Sequence, residues 1–190
     1  MKLTNSKFIL IILVLLPSLA QGYVISAGTY VPYFNQAQVS DSGETQKFEI
    51  NPYFGAGTQY ALSGPHYFLP EIGFSYFLQN SKNTKKDVIF LHYNFGYTLN
   101  SQFIIRYGLT NHWYRLHGQG GSVSLSNGNG KTTFPSPDKT VVTYFTTLNI
   151  GGEYMFPSRQ FSARYDFNIM SFQELDNRAY NYILTFNWYL

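Results

Sequence analysis

The sequence predicts an all-β fold, an eight-stranded antiparallel up-and-down transmembrane β-barrel, on three observations. Eight segments alternate large apolar side chains with small or polar ones at the period of a strand. The stretches between them alternate between long polar connections and tight turns. The composition is also wrong for a surface facing water. Aromatic residues make up 19% of the 190 and charged residues only 12%, about half the charged share of a soluble domain.

Before the first strand, residues 1–20 have the layout of a secretory signal: Lys2 and Lys7, then the apolar run Phe8 to Leu16, then Ser18-Leu19-Ala20 as a small-x-small cleavage site. Cleavage after Gly22 satisfies the same spacing. The expected mature domain is therefore 21–190, one domain's worth of chain. A membrane-crossing helix needs about 20 apolar residues, and no run after the signal approaches that. The 13 basic residues, two of them in the signal, nearly balance 10 acidic ones and are dispersed, so no nucleic-acid footprint is present. Cysteine is absent, so a secreted fold must be held by something other than disulfides.

The expected strands are 23–34, 47–62, 66–79, 87–99, 102–116, 141–156, 160–172 and 180–190. In the second, Phe48, Ile50, Pro52, Phe54, Ala56, Thr58, Tyr60 and Leu62 share one face, with Glu49, Asn51, Tyr53, Gly55 and Gly57 opposite. The third sets Phe68, Pro70, Ile72, Phe74, Tyr76 and Leu78 against Glu71, Gly73, Ser75 and Phe77. The fourth sets Ile89, Leu91, Tyr93, Phe95 and Tyr97 against Phe90, His92, Asn94 and Gly96. The fifth sets Phe103, Ile105, Tyr107, Leu109 and Trp113 against Arg106, Gly108, Thr110, His112 and Tyr114. In the sixth, Leu148, Ile150, Tyr154 and Phe156 oppose Thr147, Asn149 and Glu153; in the seventh, Phe161, Tyr165, Phe167 and Ile169 oppose Ser162, Arg164, Asp166 and Asn168. The closing strand puts Tyr182, Leu184, Phe186, Trp188 and Leu190 on one face, and Asn181, Thr185, Asn187 and Tyr189 on the other.

The odd connections, 35–46, 80–86, 117–140 and 173–179, are long and polar. The even ones are the turns Ser63-Gly64-Pro65, Asn100-Ser101 and Pro157-Ser158-Arg159. Outer-membrane barrels have short periplasmic turns, longer extracellular loops and an even strand number. Eight strands satisfy all three. In a soluble barrel of the lipocalin kind the apolar stripe would point inward, and the remaining stripe, rich in glycine and poor in charge, would have to face water. Turned the other way, Gly55, Gly57, Gly73, Gly96, Gly108 and Gly151 lie inside and make room for Tyr, Arg and Glu in a lumen only wide enough for side chains. Pro52 and Pro70 each remove a ladder hydrogen bond, which calls for bulges or strand ends.

The signal, the eight alternating segments, the long-short loop order and the aromatic closing strand resemble the small eight-stranded outer-membrane β-barrel proteins of Gram-negative bacteria, over the whole mature chain. The resemblance implies a cell outer membrane location, contact with outer-membrane lipids and lipopolysaccharide, and insertion by the barrel assembly machinery. Phe186 and Trp188 supply the aromatic carboxy-terminal signal, although this chain ends in Leu190 where such proteins more often end in phenylalanine.

The residues expected inside form a polar network of Glu49, Glu71, His92, Arg106, His112, Glu153, Arg164 and Asp166. If the turn at 157–160 pairs Phe156 with Phe161, Glu153 lies opposite Arg164, and opposite charges in a lumen should pair. His66 falls in a turn and His117 at a loop edge. His92 and His112 sit on inward faces of neighbouring strands and lack a converging third metal ligand. Lipid A deacylases of similar barrel size use a histidine and a serine two residues apart on the outer face, and no histidine here has a serine at that spacing. Gly130-Lys131-Thr132 resembles the end of a phosphate-binding loop, but position 125 is Leu where the first glycine belongs. With no cofactor or metal motif, the sequence points to a membrane anchor with a plugged polar lumen and a structural or surface-interaction role. Its extracellular partner, if any, would be met through loops 35–46 and 117–140. A lipid A acyl-chain hydrolase or transferase, or a narrow channel, are the alternatives.

Overall fold

The computed structural model describes residues 22–32, 38–39, 45–46, 49–78, 84–126, 131–172 and 179–190; the signal segment lies outside them. Eight strands close into a barrel: β1 (Gly22–Val31), β4 (Asn51–Ala61), β5 (His66–Tyr76), β6 (Thr84–Thr98), β7 (Phe103–Gly118), β10 (Thr140–Met155), β11 (Phe161–Met170) and β12 (Ala179–Tyr189). Every ladder is antiparallel between sequence neighbours, and β12 returns to β1 with Val24 opposite Tyr189 and Val31 opposite Tyr182. Closure leaves no strand edge to pair with another chain or to be stranded in lipid.

The tight turns form where the sequence carries turn chemistry. Gly64 takes φ +61° between β4 and β5, a conformation glycine adopts without steric cost. Between β6 and β7 the Asn100 carboxamide oxygen accepts from the amides of Gln102 (2.9 Å) and Phe103 (3.0 Å), a local side-chain-to-backbone turn. Between β10 and β11 the amide of Arg159 donates to Phe156 (2.8 Å), and Phe156 donates to Phe161 (2.9 Å).

Several boundaries differ from expectation. Of the second strand, expected over 47–62, residues 47–48 lie outside the described set and β4 runs from Asn51, which pairs with Tyr30 as Pro52 pairs with Thr29; the Asn51 side chain accepts from the Leu78 amide (2.9 Å). Pro70 opens the β4–β5 ladder: bridges run to Gly57–Glu71 and resume at Tyr60–Phe68, as a missing N–H requires. The long connections hold more strand than expected. Thr84–Lys86 belong to β6, His117 and Gly118 to β7, and 117–140 contains the hairpin β8 (Ser122–Ser126) and β9 (Lys131–Pro135). A two-residue ladder, β2 (Gln38–Val39) with β3 (Thr45–Gln46), lies within 35–46. Residues 173–178 lie outside the described set.

Face assignment decides the architecture. Ile72, Phe74, Tyr93, Leu109, Ile150, Leu184, Phe186 and Trp188 are exposed on the outside, while Glu71, His92, Arg106, Glu153, Arg164 and Asp166 are buried within. Aromatic pairs tile the exterior across strands, for example Phe161 on Trp188, Phe68 on Phe95 and Phe103 on Tyr154. Tyr60, placed outside by its parity, is nearly covered and stacks on Phe68.

Candidate functional site

The lumen has two layers. Toward the long-loop end, Tyr30, Tyr53, Phe77, Val88, Phe90 and Ile183 form an apolar cluster, with Tyr30 edge-on to Phe77 and Phe90. Toward the tight turns lies an ionic layer of two guanidinium groups and three carboxylates. Tyr53 joins the layers, its ring packed on Phe90 and its hydroxyl donating to Glu71 Oε1 at 2.5 Å, with His92 Nε2 2.9 Å away. The ring needs Gly73: a Cβ there would overlap the phenol.

Arg164 grips Glu71 with both terminal nitrogens, at 2.5 and 2.9 Å, and its Nε lies 3.0 Å from Asp166 Oδ2. Arg106 donates to Glu153 Oε2 (3.0 Å) and Asp166 Oδ1 (3.3 Å). Arg106 and Asp166 both stand opposite Gly151, and the absent side chain lets one reach the other over that strand. Glu153 Oε1 also accepts from Ser162 (2.5 Å), Asn187 (3.3 Å) and Tyr189. On the other flank, His92 Nδ1 meets Thr110 Oγ1 at 2.9 Å.

One expected pairing is corrected. Glu153 does stand opposite Arg164 in register, yet the two make no ion pair. Glu153 takes the diagonal Arg106, two residues along the ladder, and Arg164 crosses the lumen to Glu71. Diagonal neighbours lie within reach of long side chains, and in an eight-stranded barrel, whose interior side chains fill, a long arginine meets a glutamate from the far wall.

Not every candidate joins this layer. Glu49 is buried just before β4, with Oε1 unpartnered; burial pushes its carboxyl up from the usual range and the Lys86 ammonium partly offsets this. His112 bonds Thr147 Oγ1 (2.9 Å), and the Phe90 ring lies between it and His92. His117 is the penultimate residue of β7, at the edge of the long connection and on the outer face of the strand. Sequence reasoning gave Tyr53, Ser162, Asn187 and Tyr189 no place in the network; their inward parity was the available signal.

Tyr53→Phe is expected to cost about 1–3 kcal/mol, since it leaves His92 Nε2 buried without a partner. Urea unfolding of the refolded protein in detergent checks this.

A buried ionic layer inside and a broad band of exposed apolar and aromatic side chains outside, on a closed ladder of even strand number, define the class: a small outer-membrane β-barrel. Solved structures similar to it include Neisserial surface protein A (NspA), 13% identical, covering 89% of this chain and 96% of that one at TM-score 0.48. Ail of Yersinia pestis is 9% identical, with 88% and 95% covered at TM-score 0.47. The N-terminal β-barrel domain of Pseudomonas aeruginosa OprF is 13% identical, with 90% and 100% covered at TM-score 0.40. No family model matches the sequence, and no curated protein matches it.

Proposed function

We propose that this protein is a plugged outer-membrane anchor that holds its long loops outside a Gram-negative cell, in a structural or surface-interaction role. The carrying observation is the ionic layer: Arg106 and Arg164 each meet two carboxylates inside the lumen, and the Arg164–Glu71 pair spans it. The recess beside Glu71, Arg106, Arg164 and Tyr189 has a volume of about 10 Å³, roughly one water. A hydrated ion does not fit in a recess of that size. In this reading residues 1–20 are the cleaved export signal, the barrel assembly machinery inserts the chain, and the tight turns lie in the periplasm. Lipopolysaccharide and other outer-membrane lipids surround the aromatic wall, and segments 35–46 and 117–140 are where an extracellular partner would bind, because a rigid barrel holds them clear of the surface.

Planar-bilayer recording of the purified protein tests the plug. The expected result is no stepwise conductance from the wild type, with conductance appearing in Arg106→Ala. Regular openings in the wild type, abolished by changing Arg106 or Glu153, would replace the plug with a channel. Protease added to intact cells should cut within 117–140 and leave the barrel whole.

A further inference from the structure

On the outer wall at the long-loop end, three adjacent strands bring together Asp87 of β6, Arg115 and His117 of β7, and Thr140 of β10. The ladder sets Asp87 opposite Arg115, and His117 between Lys85 and Thr140. Asp87 divides its two oxygens: Oδ1 lies 2.5 Å from Arg115 Nε, and Oδ2 lies 2.6 Å from His117 Nε2. The other ring nitrogen, Nδ1, is 3.1 Å from Thr140 Oγ1. An ionised carboxylate only accepts, so Nε2 carries the hydrogen. In the neutral imidazole Nδ1 then keeps its lone pair, which faces the threonine hydroxyl. Carboxylate, imidazole and hydroxyl stand in the order of a nucleophilic relay, with the two ring nitrogens exchanged relative to the Ser-His-Asp arrangement.

Its surroundings suit an acyl substrate. The Asp87 side chain is 9% exposed and held by Arg115, while His117 is open, at 39%. One outward position nearer the midplane, Trp113 and Tyr144 meet edge-on at 6.3 Å, and Tyr76 stands opposite Asp87. Trp and Tyr mark the membrane–water interface. Strands β6, β7 and β10 have 15, 16 and 16 residues, against about 9–11 needed to cross a bilayer, so their long-loop ends overshoot the hydrocarbon. The relay therefore stands at headgroup level, where ester bonds to acyl chains lie. The exposed Lys85, directly across from His117, adds positive charge to the row.

We propose that Asp87, His117 and Thr140 form an esterase site that removes ester-linked acyl chains from lipids of the surrounding leaflet. Thr140 Oγ1 bonds the ester carbonyl carbon as its proton passes to His117 Nδ1. The carbon–oxygen bond to the lipid breaks, and the departing alkoxide takes that proton. Water then gives a proton to Nδ1 and adds its hydroxide to the acyl-threonine. The carboxylic acid leaves and Thr140 recovers its hydrogen. Asp87 holds the tautomer throughout. The residues come from three strands, so no local spacing announces them, and the site goes beyond the anchoring role while resting on the same membrane placement.

The test uses the refolded full barrel in detergent micelles with three probes: p-nitrophenyl palmitate, phosphatidylethanolamine, and lipopolysaccharide carrying ester-linked chains. Mass spectrometry reads released fatty acid and any acyl adduct on the peptide containing Thr140. We expect release by the wild type, a loss on the order of 10²–10⁴-fold in Thr140→Val and His117→Gln, and retained release in Thr140→Ser. No release from any probe, or undiminished release by Thr140→Val or Thr140→Ala, overturns the site. Gel mobility of unheated against boiled samples, run on every variant, reports separately whether the barrel has formed; its absence in the wild type would overturn the membrane reading instead.

Discussion

Replacing Arg164 with methionine is expected to destabilise the barrel by about 3–5 kcal/mol, because breaking a buried ion pair leaves its partner charge uncompensated. Arg164 holds Glu71 through two hydrogen bonds and contacts Asp166 as well, so its removal takes the ion-pair partner from Glu71 and leaves Asp166 paired with Arg106 alone. Lysine at the same position should recover part of the loss, lacking the planar fork that meets both oxygens of Glu71. The double replacement Arg164→Met with Glu71→Gln should cost less than the sum of the single changes, since the two groups are directly coupled. Urea unfolding of refolded protein, followed by the fluorescence of Trp113 and Trp188, measures all four. A loss below about 1 kcal/mol for the methionine variant, on the surface-pair scale, would mean that the ionic layer does not hold the lumen closed.

Replacing Ile150 with arginine is expected to cost about 2–4 kcal/mol in a bilayer, the scale for a cation at mid-depth on the lipid face of a barrel. Ile150 is 49% exposed, with Tyr107 and Phe167 opposite it on the two neighbouring strands. The sign carries the information. In a barrel bathed by water an outward arginine would be neutral or would aid solubility, whereas in lipid it must be dragged toward the interface. Folding yield into lipid vesicles, compared with Ile150→Leu, reads the difference.

Inside and outside were legible because parity is a local property. Glu71 and Ile72, Arg106 and Ile105, Thr185 and Leu184 separate by one residue in sequence and point to opposite sides of the wall. The tight turns were legible for the same reason: Gly64 and Asn100 act within three residues of themselves. Strand ends were less so. The alternation at Glu49 and Ile50 resembles that of the strand that follows, yet β4 begins only at Asn51. The segment 117–140 concealed a hairpin: Ser122-Val123-Ser124-Leu125-Ser126 does alternate, but over only five residues set among the Gly, Ser and Asn of a loop.

The amino-acid sequence by itself determined an all-β chain of eight membrane-length strands, the order of loops and turns, and the inward side of Glu71, Arg106, Glu153, Arg164 and Asp166. Tertiary structure alone decided which charges meet. Glu153 faces Arg164 across one ladder yet bonds Arg106, and Arg164 finds Glu71, 93 residues away, across the lumen. Likewise Asp87, His117 and Thr140 become neighbours only through the registers of β6 on β7 and β7 on β10. The physical reason is closure. A period of two fixes direction residue by residue, but the stagger at which eight tilted strands join into a ring sets the height of each side chain, and that stagger is a property of the whole circuit rather than of any segment within it.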